Sequence, residues 1–259
     1  MSNVVVAIIL TALAGLSTSI GGLIAMFSKN TNKKFLAFSL GISAGVMLYV
    51  SFMELLTKAV ATMSAVYDAK LGTTLAVSGF FCGMFLAALI DKFIPEADIM
   101  SVANGKGSQS KLMRTGLVTA LALGIHNFPV GMATFVSALQ SPVMAMPIVV
   151  AIAIHNIPEG IAVAVPIYFA TNNKKRAFLY TFASGVAEPI GAVAGYLILM
   201  PYISELVNAY VFAVVAGLMV FISVDELLPT AREYSQSHLA VYGLITGMIV
   251  MAVSLVGFM

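Results

Sequence analysis

Residues 154–160 read IHNIPEG, and residues 125–131, in the apolar run just before it, read IHNFPVG. Each copy sits inside a run, roughly residues 113–139 and 143–169, long enough for a membrane-spanning helix, which needs about 20 apolar residues. Histidine, asparagine and glutamate are expensive at that depth unless protein or a watery cavity surrounds them. The two copies also differ: the second carries Glu159 where the first carries Val130.

The rest of the chain agrees that these runs are spans. Of 259 residues, 60% are hydrophobic and 9% charged, and the mean hydropathy is +1.01. A soluble core needs a polar shell that this composition cannot supply, so the bilayer is the solvent. The expected fold is an all-α integral membrane protein with eight transmembrane helices, near 4–27, 35–57, 73–93, 113–139, 143–169, 176–200, 207–229 and 239–258. The chain reads as a single transmembrane domain over 1–259, whose one long connection, about 94–112, is rich in Gly, Ser, Asn and Lys. The N-terminal apolar stretch lacks a basic leader and is long enough to span, so it reads as a helix and not as a cleaved signal.

Charge sets orientation. Lys29, Lys33, Lys34, Lys92, Lys106, Lys111, Arg114, Lys174, Lys175, Arg176 and Arg232 fall on one side, leaving only Lys58 and Lys70 on the other. The basic side is expected to be cytoplasmic, with both termini outside. A net charge of +2 gives no reason to expect a nucleic-acid partner. The single Cys82 excludes an internal disulfide or thiolate cluster. There is no phosphate-binding loop for ATP.

Spans 4, 5 and 6 carry His126 and Asn127; His155, Asn156 and Glu159; and Glu188. One such group is ordinarily a hydrogen-bonded tie between helices. Six at one depth on consecutive spans point to a pathway. His155 and Glu159 are four residues apart, hence on one helix face, and imidazole with carboxylate suits a divalent ion such as Zn, Fe, Mn, Co or Cd. Pro129, Pro158 and Pro189 leave the carbonyls of Ile125, Ile154 and Gly185 without helix partners at the same level. Freed carbonyls are tolerated there only beside protein, water or an ion.

The double HNxPxG, with "SGVAEPIGA" and "SVDELLP" further on, resembles the ZIP (Zrt-/Irt-like) metal transporters, in particular the bacterial ZupT-type branch. That resemblance implies a transporter and no enzyme, carrying divalent metal into the cytoplasm across a bacterial inner membrane, with no cofactor beyond the transported ion. It implies a 3+2+3 arrangement with an inverted repeat, commonly in a homodimer, and a path between spans 2, 4, 5 and 7. It also implies a binuclear site: one metal on His126, His155 and Glu159, a neighbour on Asn127, Asn156, Glu159 and Glu188. The family has a bridging glutamate at the position of Val130, so only Glu159 and Glu188 remain to balance charge. That is enough to balance one divalent ion, so the chain is expected to hold one metal, or two only with the second weak.

Glu54, near the outer end of span 2, is a candidate entrance residue; Asp225 and Glu226, near the inner end of span 7, are candidates at the exit. His238 reads as a surface group. Gly79 and Gly83 form a GxxxG that suits a dimer face, but Gly41/Gly45, Gly191/Gly195 and Gly243/Gly247 repeat the spacing, and packing within the bundle explains all of them equally well. Two rival functions are set against metal transport. An intramembrane metalloprotease needs HExxH, and no histidine follows His155 at that spacing. Against a proton-linked carrier of organic solutes, the midplane has no fixed cation for a carboxylate substrate.

Overall fold

The computed structural model describes residues 3–27, 33–93, 109–202, 204–235 and 238–257, and all regular structure among them is helical. Eight helices are long and apolar enough to cross a membrane. They are α1 (Asn3–Phe27), α2 (Lys33–Val66), α3 (Ala69–Asp91), α4 (Gln109–Gln140), α5 (Pro142–Thr171), α6 (Lys174–Leu199), α7 (Glu205–Tyr234) and α8 (Leu239–Gly257). Short polar connections start several of them. Asp68 accepts from the N–H groups of Lys70 and Leu71, both at 2.9 Å, to open α3. Asn173 accepts from the Arg176 N–H at 3.1 Å to open α6. Ser204 accepts from the Val207 N–H at 3.2 Å to open α7. Each satisfies a backbone donor that the helix itself cannot. Asn172, at φ 47°, makes the tight turn from α5 to α6, a conformation that asparagine tolerates well.

Three boundaries differ from the sequence expectation. α2 continues to Val66 instead of stopping near 57, because Lys58 is no terminator: its ammonium pairs with Glu54 one turn back and stays on the helix. α7 continues through Pro229 to Tyr234; that proline falls in the first turn after a π-helical segment, where a missing N–H does little harm. α4 is already helical from Gln109, so the loop expected over 94–112 ends earlier; residues 94–108, with Lys29 and Lys106, lie outside the described residues. Glu54, Asp225 and Glu226 therefore sit two turns or more inside their helices, not at the ends.

Packing sorts the helices into two groups. α1, α4, α5 and α6 pack on one another; α2, α3, α7 and α8 do the same; the seam between groups is chiefly α5 against α2, with α4 against α7. Glycines weld each group internally. A Cβ on Gly15 of α1 would lie 2.5 Å from the carbonyl oxygen of Gly185 and 2.9 Å from Glu188 Cβ, so α1 presses on the carbonyl that Pro189 has freed. A Cβ on Gly131 of α4 would lie 2.6 Å from Glu188 Cα. In the other group, Gly41, Gly45, Gly243 and Gly247 bring α2 against α8, and Gly79 and Gly83 bring α3 against Tyr210, Ala213 and Val214 of α7. The Gly79/Gly83 ridge is thus covered within the chain and is not a free dimer face.

This packing makes a paired prediction. Gly15→Ala should lower thermal stability by about 1–3 kcal/mol, the usual penalty for overpacking. Gly124→Ala, whose added Cβ meets nothing within 4 Å, should be neutral or stabilising by up to about 1 kcal/mol through helix propensity. Thermal denaturation of the two purified variants decides it; equal effects would show that the close approach of α1 is not what holds α6.

Candidate metal centre

The HNxPxG segments of α4 and α5 bring their polar residues to the interior of the first group. His126, Asn127, His155, Asn156, Glu159 and Glu188 are all buried. One ligand atom each from His126, His155 and Glu159 lies within 4.8 Å of the others. In a tetrahedral zinc site with bonds of about 2.0–2.1 Å, neighbouring ligand atoms are about 3.4 Å apart. The three side chains can therefore close on one ion with movements of around an ångström. Neither imidazole nor either Glu159 oxygen has a well-formed hydrogen-bond partner, although the His155 ring leans on the Ala151 carbonyl one turn back. Buried polar atoms are nearly always satisfied, and two imidazoles with a carboxylate are a donor set that a divalent cation takes.

The amides flank this cluster. Asn127 donates through Nδ2 to the Ser184 carbonyl at 3.3 Å, and Asn156 donates to the Ala14 carbonyl at 3.0 Å and to Glu188 Oε1. With their N–H groups used on neighbours, both Oδ1 atoms are left without partners, as is Glu188 Oε2. The orientation presents oxygens, the atoms a hard divalent ion accepts. All six residues ride on α4, α5 and α6, and the second helix group contributes none of them.

The two sides of the centre are unlike. Towards the basic end of the bundle a cavity of about 610 Å³ is lined by Asp91, Thr115, Thr119, Asp225, Glu226 and Glu233, among others. A narrow throat of about 20 Å³ shares Asp91 and Glu226 with it and is also lined by Ile125 and His126. Towards the opposite end the seam is packed with Val50, Leu55, Val130, Ile148, Ile152, Val215 and Met219, leaving only about 10 Å³. Val130 stands one turn beyond His126 on the same face of α4 and forms part of this apolar plug.

Comparison with known proteins matches this arrangement to a family. A family model described as ZIP zinc transporter matches residues 96–255. The chain belongs to the ZIP family. Among curated relatives, a protein called zinc transporter ZupT from Streptococcus mutans is 56% identical, over 97% of this chain and 97% of its own length. Proteins of the same name from Clostridium perfringens and Oceanobacillus iheyensis are 53% and 51% identical, over 100% and 98% of this chain and 98% of each relative. ZIP proteins are transporters, which sets aside the protease reading; the chain is a multi-pass membrane protein of that class.

Three features of this ZIP chain escaped the sequence. Asp91, which nothing in the sequence singled out, lines both the cavity and the throat beside Glu226. Ser43 of α2 donates its hydroxyl to the His155 carbonyl at 3.1 Å, a hydrogen bond across the seam. The third is a residue-level match between α2 and α7, in keeping with the repeat that the resemblance implies: residues 45–56, GVMLYVSFMELL, match residues 217–228, GLMVFISVDELL, at Gly, Met, Ser, Glu, Leu and Leu. Both copies turn into π-helix, Ser51–Leu56 and Ser223–Leu227. In both the serine donates to the carbonyl four residues back, Met47 or Met219, at 2.7 Å. Aligning α2 on α7 would have revealed it.

Proposed function

We propose that the chain carries a divalent metal ion, zinc first and Fe, Mn, Co or Cd by the same donor chemistry, into the cytoplasm of a bacterium across its inner membrane. The observation that carries this reading is the convergence of His126, His155 and Glu159, all buried, on one point within the bundle. Asn127, Asn156 and Glu188 supply oxygens beside it for a second, weaker ion. Val130 offers no donor atom, so one metal is held tightly per chain.

The charge bias makes the basic end cytoplasmic and the termini extracytoplasmic. The acidic cavity then faces inward and the apolar plug outward. An ion leaves by way of His126, the throat at Asp91 and Glu226, and the vestibule at Asp225. Glu54, on the far side of the plug, belongs to the entrance. The repeat in α2 and α7, carried by antiparallel helices, supports the 3+2+3 arrangement, in which the first and last three helices are related by inversion around α4 and α5. The whole chain works as one transporter domain, and a homodimer would join through a face other than the Gly79/Gly83 ridge.

The test is uptake into proteoliposomes presented with zinc, iron, manganese, cobalt and cadmium in turn. Saturable zinc uptake is expected; liposomes that admit none of these ions would end the proposal. Removing Ser43 should act on movement alone. Ser43→Ala loses one seam hydrogen bond of about 1 kcal/mol and touches no ligand atom. Turnover should rise by about fivefold at most with KM unchanged, read from initial rates against zinc concentration.

A further inference from the structure

The two copies of the repeat share a glutamate but not its surroundings. Four residues after Glu226 stands Thr230, and Glu226 lines the open cavity beside Asp91 and Asp225. Four residues after Glu54 stands Lys58, and its ammonium is ion-paired with Glu54 Oε1. The Glu54 side chain is only 14% exposed, while that of Lys58 is 38% exposed. Glu54 is next in sequence to Leu55, one of the plug residues.

A carboxylate held this close to the bilayer interior favours a nearby cation, and the preference grows as water is withdrawn. At the cavity end the structure places Asp91, Asp225, Glu226 and Glu233 around one open space, with Lys92 also on its wall but not one turn along the helix from Glu226. At the plug end the equivalent carboxylate already has a cation, supplied by its own helix with glutamate N-terminal to lysine, the better order for such pairs. An ammonium four residues away is tethered, so it competes at a high local concentration that does not depend on the medium.

We propose that Lys58 is a specificity-determining residue of the entrance: its ammonium occupies Glu54 in the place a divalent ion takes, and arriving zinc must displace it. Lys58 thereby sets the lowest metal concentration at which the carrier loads, while Glu226, without such a partner at the matching position, is left to receive the ion on the other side. This rests on the transport reading given above.

The experiment measures initial rates of zinc uptake by intact cells making the chain, so that added metal meets one face only. Wild-type uptake that saturates is the precondition; its absence counts against the transport function and not against Lys58 alone. Lys58→Met, which keeps the apolar stem, should lower KM about three- to fivefold, the reach of one partly exposed ion pair, with kcat within about twofold. Lys58→Gln should do the same, and Lys58→Arg should keep the wild-type KM. On a Glu54→Gln background, Lys58→Met should no longer shift KM. An unchanged KM in both neutral variants overturns the proposal, as does a shift that persists without the Glu54 charge.

Discussion

Glu159→Gln should abolish zinc uptake without destabilising the metal-free protein. The side chain is fully buried with both oxygens unpartnered, and an acidic group at mid-membrane depth costs about 2.5 kcal/mol or more on insertion scales. Glutamine keeps the shape, and its buried amide is as short of partners as the acid it replaces, so thermal stability in chelator should stay within about 1 kcal/mol of wild type. The same change removes the only anion among the three converging ligands. Loss of a group that merely orients a ligand costs about 10- to 100-fold, so loss of the anionic ligand should take uptake to background. A zinc-bound wild type gains about 2.7 kcal/mol of stability at a hundredfold excess over Kd, and the variant should lose that increment. Denaturation with and without zinc, beside liposome uptake, reads all three. A stability drop in chelator would mean that Glu159 serves the fold instead of the ion.

Val130→Glu should convert a chain that binds one zinc tightly into one that binds two. Val130 is 1% exposed, a turn beyond His126, and packed among Val50, Leu55, Val215 and Met219. A carboxylate placed there stands one turn from His126 and adds a third negative charge to those of Glu159 and Glu188, which strengthens the hold on a second divalent ion. Without metal the new acid is stranded in an apolar plug, so the variant should be less stable than wild type by about 2.5 kcal/mol and should recover on adding zinc. Metal content per chain after dialysis, with thermal denaturation in zinc and in chelator, gives both numbers. Two tightly bound ions in the unmodified protein would refute the assignment of a stoichiometric role to Val130.

The eight spans and the six polar residues were legible in the sequence because membrane depth leaves few alternatives: long apolar runs must be helices, and polar groups within them must have a reason. Helix ends were less so. Lys58 and Pro229 look like stops, yet one is neutralised by a residue a turn away and the other falls where a proline is harmless. The division into two groups was not legible at all, since the same GxxxG spacing appears in both and a small residue does not say which helix fills the space above it. Asp91 was lost for a related reason: a carboxylate at the edge of an apolar run looks solvated until α4 and α7 are seen to close around it. The repeat in α2 and α7 was hidden by its distance along the chain, and because most of its matches are ordinary membrane residues.

All six candidate ligands belong to one helix group, and this has a thermodynamic consequence. If that group moves as a body against the other, the ion's coordination sphere is the same whichever compartment it faces. Intrinsic affinity is then equal on both sides, apart from what the carboxylates at the two mouths add. Such a carrier does no uphill work by itself; it equalises the electrochemical potential of the metal across the bilayer. An inside-negative potential favours a doubly charged ion in the cytoplasm by about 4.6 kcal/mol per 100 mV. Accumulation inside the cell would be set by that potential and by how strongly cytoplasmic ligands sequester the metal once it is released.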